Sequence, residues 1–254
     1  MSQEEQQQPL VTHLIELRNR LLKAVISVLV LFLCLFYFAN DLYLILVRPL
    51  TDILPESGAV ISTGIISPFM VPFKLTLVLS ILFAIPYILY QLWAFIAPGL
   101  YQHEKKFAVP LLISSIILFY LGIAFAYFVA LPFAFAFFTA TGPTGIAYMP
   151  DITNLLDFIL TVFFAFGVAF EIPIATYLLV LIGFTTVDSL VEKRPYIFLG
   201  CFVVGMLVTP PDVFSQTILA VPMWLLFEVG VLAARTIKKP KEDDEEEHSD
   251  SEAE

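Results

Sequence analysis

At 254 residues, 59% hydrophobic and 14% charged, with a mean hydropathy of +0.89, the chain lies outside soluble globular composition, which is roughly 45–50% apolar and about 25% charged. That excludes a water-soluble enzyme or binding module. Several runs near the ~20 apolar residues that cross a bilayer imply a polytopic membrane protein instead. The formal net charge of −10 is local, because residues 242–254 carry nine acids and no Lys or Arg, and without them 13 bases face 14 acids.

Residues 1–9 are polar. From there Leu10, Leu14, Leu17 and Leu21 recur at helical spacing, which predicts an amphipathic helix on the membrane surface with His13, Glu16 and Arg20 on its other side. This N-terminal segment, residues 1–20, runs into a first span at about 21–38, expected to be retained because no A-x-A-like cleavage site precedes Asp41. Residues 39–67 form a loop whose apolar stripe (Leu42, Ile45, Leu46, Leu50, Ile53, Leu54) is interrupted by Pro49, predicting a short interfacial helix pair. Ser67-Pro68 looks like an N-cap followed by proline at the first helical position, opening a second span at about 68–96 that Pro86 should kink.

Pro98-Gly99 then forces a turn, and Glu104 follows beside Lys105 and Lys106. A third span, about 106–138, holds Pro110 and Pro132 and is longer than a bilayer requires. After a turn-rich loop, Asn154 and Asp157 resemble a capping pair for a fourth span at about 155–184, which carries Glu171 near its centre and Pro173. Glu192-Lys193-Arg194-Pro195 makes a charged loop. The fifth span, about 196–208, has 13 residues, about 20 Å at 1.5 Å per residue. Thr209-Pro210-Pro211-Asp212 caps a sixth span at about 210–234, so the last two spans form a tight hairpin. The acidic tail, 236–254, cannot bury apolar surface and is expected to be disordered.

Eleven of the thirteen bases fall in four places: Arg18, Arg20 and Lys23; Lys105 and Lys106; Lys193 and Arg194; and Arg235, Lys238, Lys239 and Lys241. These alternate with the outer loops as six spans require, so the positive-inside rule puts both termini in the cytoplasm. Arg48 and Lys74 are the exceptions, and Lys74 is expected to snorkel. The predicted fold class is therefore all-α, six transmembrane helices in one membrane domain of residues 21–235.

Three constellations could carry chemistry. Glu16 and Glu104 fall on the same cytoplasmic face, each among bases; the plain alternative for Glu16 is an i,i+4 pair with Arg20. Glu171 is an ionisable group at mid-membrane depth, costing about 2.5–3.5 kcal/mol on insertion scales unless it is neutral, wet or partnered. Glu228 lies seven residues before Arg235 on the same helix face, which favours a structural role. At the outer end of the hairpin, capping accounts for Thr209 and Asp212 but leaves Gln216, near Thr217, as a candidate for a helix–helix contact. No HExxH, GxSxG or GxxxxGK[ST] occurs, so no catalytic residue is assigned. The three histidines (His13, His103, His248) and the cysteines Cys34 and Cys201 are too scattered for a metal site, and no cofactor and no nucleic-acid partner is expected.

From about Leu10 to Arg235 the chain resembles the TatC family, the large membrane subunit of the twin-arginine protein translocase. The resemblance rests on His13-Leu14-Ile15-Glu16-Leu17-Arg18, Phe95-Ile96-Ala97-Pro98-Gly99-Leu100-Tyr101 with His103-Glu104, Phe166-Gly167 through Phe170-Glu171 and Pro173, Lys193-Arg194-Pro195-Tyr196, and Thr209-Pro210-Pro211-Asp212. It implies a cupped six-span bundle in the cell inner membrane that recognises signal peptides bearing paired arginines. Such a bundle would act with TatA-like and TatB-like single-span partners, as a homo-oligomer within the complex, to export folded proteins using the proton gradient. The resemblance makes Glu16 and Glu104 signal-binding acids with Phe95, His13 and Arg18 beside them. Glu171 becomes the intramembrane acid, and Met206, Leu207, Thr209 and Gln216 fall in the partner-contact region, with Pro49 and Asp212 structural in the outer loops. The bottom-up alternative is a proton-coupled small-molecule transporter using Glu171, against which stand the missing internal repeat and the short hairpin.

Overall fold

The computed structural model describes residues 3–51, 60–96, 105–141, 149–208 and 213–237, and all regular structure among them is helical. The helices are α1 (Gln3–Phe36), α2 (Ala39–Thr51), α3 (Ser67–Ile96), α4 (Lys105–Phe125), α5 (Leu131–Thr141), α6 (Ile152–Ala169), α7 (Ile172–Leu181), α8 (Val187–Glu192), α9 (Arg194–Val208) and α10 (Val213–Ala234). Five stretches are long and apolar enough to span a bilayer, and α9 is a shorter apolar helix. Its 15 residues span about 22 Å at 1.5 Å per residue, against a core of about 30 Å.

The N-terminal amphipathic segment and the first span are one continuous helix, α1. Over residues 13–21 the side carrying Glu16 and Arg20 faces the protein and the leucines do not. His13 and Arg20 meet α3, while Leu14, Leu17 and Leu21 are exposed. In a bilayer the apolar side needs no protein cover, whereas polar groups gain by finding partners.

Prolines shape the interior in three ways. Pro86 within α3 has no N–H to offer the carbonyl of Leu82, and the Tyr120 hydroxyl of α4 donates to that carbonyl at 3.0 Å instead. Upstream of Pro132, α4 and α5 are separated by a π-turn at Ala126–Ala130, where the Leu131 N–H reaches back five residues to the Ala126 carbonyl. Pro173 sits in the first turn of α7, just after a break at Phe170 and Glu171 that divides the fourth span into α6 and α7.

The core is built around α6. Ile159, Phe163 and Phe166 are buried against Leu82 and Ile85 of α3, Phe119 of α4, and Ala220 and Met223 of α10. Close approach is enabled by small residues: a Cβ on Gly122 would lie 2.5 Å from the Phe166 carbonyl oxygen, and one on Gly230 would lie 2.8 Å from the Pro173 Cα. Gly183, with φ +72°, closes α7 in the left-handed conformation. Thr186 then caps α8 by accepting from the Ser189 N–H, a short helix the sequence did not announce.

Several local expectations need correction. The Met70 N–H bonds the Ile66 carbonyl, so α3 starts one residue earlier than a Ser67 cap would allow. The cap of α6 is Asp151, whose side chain accepts from the Thr153 and Asn154 N–H groups; Asn154 and Asp157 do not form a capping pair. Asp157 instead pairs with Lys74 at 2.5 Å, which gives Lys74 a protein partner in place of free snorkelling. Asp151 can cap because it lies just before the helix with extended backbone, whereas Asp157 is already a turn and a half inside it. Of the expected helix pair between spans one and two, α2 is one member; the other, with Thr209, Asp212 and the tail beyond residue 237, lies outside the described residues.

Candidate functional site

At the end of the bundle where α1 begins and α3 finishes, five side chains converge. Glu16 and Arg20 are one turn apart on α1. Arg20 Nε and Nη2 both donate to Glu16 Oε1, at 2.9 and 2.6 Å. Arg20 Nη1 reaches 3.4 Å to Oε1 of Gln91, a buried residue of α3. His13, three residues before Glu16, stacks on Phe95 with ring centroids 4.1 Å apart and planes at 19°. Its Nδ1 lies 4.0 Å from Glu16 Oε2.

This follows from helix spacing. Residues 13, 16 and 20 share one face of α1, and residues 91 and 95 share one face of the antiparallel α3. Beside the ion pair opens a shallow groove of about 410 Å³ lined by Ile15, Glu16, Asn19, Arg20 and Lys23. It offers a carboxylate, an amide and an apolar wall beside two cations, Arg20 and Lys23, so the stem of a long cationic side chain finds apolar cover there and its head has Glu16 as the one counter-charge. Arg18 stays outside the cluster, its guanidinium donating to Asn19 Oδ1 at 3.3 and 3.1 Å. Glu104 lies outside the described residues. Lys105 opens α4 directly after it.

Glu171 sits at the break between α6 and α7, at the N-terminal end of α7, where backbone dipoles favour an acid. Its Oε2 accepts from the hydroxyl of Ser115, a buried residue of α4, while its Oε1 is buried without a partner among the described residues. The Glu16 cluster and Glu171 share no hydrogen-bond partner among the described residues.

Glu228 pairs with Arg194, at 2.5 Å, and not with Arg235. The tight hairpin brings the start of α9 beside α10, so a residue distant in sequence is the nearer partner. Gln216 also has a local partner: its Nε2 donates to the Phe202 carbonyl at 2.7 Å across the hairpin. Met206 and Leu207 on α9 are exposed, and Pro49 lies within α2.

At the opposite end of the bundle the sequence reading missed Asp151. Besides capping α6, its Oδ2 accepts from Thr63 Oγ1 at 2.6 Å and from the Thr63 N–H at 2.9 Å. Ile61 and residues 150 and 152 exchange two backbone hydrogen bonds alongside. The Thr63 side-chain and backbone donors, followed by those of Thr153 and Asn154, hold the Asp151 carboxyl well below the usual carboxylate range. Pro150-Asp151 carries a turn signal, but nothing in it points to Thr63. Among the described residues no group of three His, Cys, Asp or Glu side chains converges as a metal site requires.

The model of the family "Sec-independent protein translocase protein (TatC)" matches residues 12–222. The chain is 58% identical over 238 residues to a Sec-independent protein translocase protein TatC of Azotobacter chroococcum, covering 94% of this chain and 93% of that protein. It is 55% identical over 231 residues to that of Escherichia coli K12, covering 91% and 90%. Its backbone matches a crystal structure of a twin-arginine translocase receptor TatC with a TM-score of 0.79 at 38% identity, over 88% of this chain and 98% of that one. With a family model spanning most of its length, relatives above half identity and the same backbone arrangement, the chain belongs to the TatC family of Sec-independent protein translocase proteins.

Proposed function

We propose that this protein is the signal-peptide receptor and core subunit of a twin-arginine translocase that exports folded proteins across the bacterial inner membrane using the proton gradient. The convergence of His13, Glu16 and Phe95 at one end of a TatC-family bundle carries this reading. In it, both termini are cytoplasmic, and Glu16 and Glu104 receive the two arginines of the signal. TatA-like and TatB-like single-span proteins dock on α9 and α10 near Met206, Leu207, Thr209 and Gln216, and several copies assemble in one complex. The two relatives described above are both named as protein translocase components, which supports this reading over a small-solute carrier.

Arginine suits such a site because its planar fork makes two charge-assisted bonds where lysine makes one. A hydrogen bond to a charged group is worth about 1.5–3 kcal/mol, or roughly 10- to 150-fold in affinity. Glu104→Gln should weaken signal-peptide binding by that factor. Arg→Lys in the peptide should cost a similar amount, and the two changes combined should be non-additive because they break one contact. A double-mutant cycle on peptide affinity in nanodiscs checks this; strict additivity, or unchanged affinity of Glu104→Gln, refutes direct contact.

A further inference from the structure

We propose that Arg20 is a resident stand-in for a signal arginine: it occupies Glu16 in the resting receptor, and an incoming arginine binds there by displacing it. This rests on the reading of Glu16 as a signal acceptor. Glu16 Oε1 already takes two guanidinium bonds from Arg20, which uses both of that oxygen's lone pairs. Among the described residues, Oε2 has no hydrogen-bond partner, with His13 Nδ1 at 4.0 Å. The acid is therefore half engaged by a group of the same chemistry as the proposed ligand.

Two further observations distinguish this from an ordinary surface pair. A second helix reaches in: Gln91, buried on α3, accepts from the remaining Arg20 nitrogen and so holds the fork against Glu16. The groove opens at the pair itself and is lined by both of its members, so an entering side chain meets Glu16 and Arg20 together. Exchange of one guanidinium for another leaves the Glu16 carboxylate paired throughout. The signal's affinity is then set by a difference between two similar contacts. That favours a receptor which releases its cargo over one which traps it. The freed Arg20, with Lys23, joins the basic edge of the groove.

The test uses the full-length receptor in nanodiscs and a twin-arginine signal peptide, with affinity read by calorimetry. Arg20→Gln removes the competitor and should tighten binding by about 2- to 5-fold, the range spanned by exposed and half-buried ion pairs. Gln91→Leu changes no charge but loosens Arg20, and should tighten binding in the same direction by a smaller factor. In a Glu16→Gln background, Arg20→Gln should have no further effect. If Arg20→Gln yields too little folded protein, Arg20→Lys, which gives up one of the two bonds, should also tighten binding.

Weaker or unchanged binding in Arg20→Gln, with Glu16→Gln weakening it, would overturn the proposal and make Arg20 a positioning residue. Tighter binding in Arg20→Gln with no change in Gln91→Leu would overturn it in favour of through-space repulsion. Unchanged affinity in Glu16→Gln alone removes Glu16 as an acceptor, and this proposal falls with that reading.

Discussion

Two carboxylates illustrate how a single side chain acquires its role from its partners. Asp151 is held ionised by donors from Thr63, Thr153 and Asn154, and in accepting them it ties the loop before α3 to the start of α6. Its pKa is lowered on folding, so its contribution is complete above the unfolded value of 3.8 and is lost as pH falls through the lower folded value. The wild type should therefore keep a constant thermal advantage over Asp151→Asn from about pH 8 to about pH 5, and lose it only on stronger acidification. A difference that shrinks already between pH 7 and pH 5, in melting curves in detergent, would contradict this.

Among the described residues Glu171 has one hydrogen-bond partner, Ser115, and one oxygen buried without any. Glu171→Gln should fold and bind signal peptide normally but transport more slowly. Ser115→Ala should lower stability by on the order of 1 kcal/mol, as for other hydrogen bonds within membrane spans, and should slow transport in the same direction. Wild-type transport rates in inverted vesicles for Glu171→Gln would reduce that residue to a structural one.

At the scale of elements, the bundle repairs its own broken helices. Pro86 frees the Leu82 carbonyl, and the Tyr120 hydroxyl on α4 takes it up. That makes a proline in one span and a tyrosine in another a single unit. Tyr120→Phe should destabilise the protein by about 1 kcal/mol. The penalty should vanish in a Pro86→Ala background, where the helix supplies its own N–H to residue 82. Additive losses in thermal melts of the double variant would show that the two do not cooperate. Gln216 follows the same logic, since its bond to the Phe202 carbonyl fastens the two arms of the final hairpin. A partner helix docking there would meet a polar group already engaged, so recognition would draw on exposed Met206 and Leu207 as well.

For the whole molecule, the distribution of bases argues for six crossings with both ends inside. With Cys34 and Cys201 replaced, single cysteines at positions 58 and 145 should be labelled by an impermeant reagent from outside intact cells, and one at position 190 should not. Labelling at 190 from outside would overturn that topology. The placement of α9 matters most here, because its 15 residues are too few to cross an undeformed bilayer upright. Its interior side is closed by Cys201 and Gly205, with Gly205 lying against Gln216.

Periodicity, proline position and charge alternation are properties of the chain itself, and so the spans, the amphipathic start of α1 and the His13–Glu16–Arg20 face were legible without a structure. Glu16–Arg20 could be anticipated because an i,i+4 pair is closed by the helix that contains it. Partners supplied by another helix could not. The carbonyl freed by Pro86 was foreseeable, but its rescue by Tyr120 was not. Likewise the sequence shows Glu228 on the same helix face as Arg235, but not that the hairpin sets Arg194 closer. Asp151 looked like a turn residue until the fold brought Thr63 to it across 88 residues of sequence. In a bilayer every span is apolar, so hydropathy says which segments cross but not which faces meet. That was decided by shape, at positions such as Gly122 and Gly230 where backbones touch, and by the few polar groups that had to find one another.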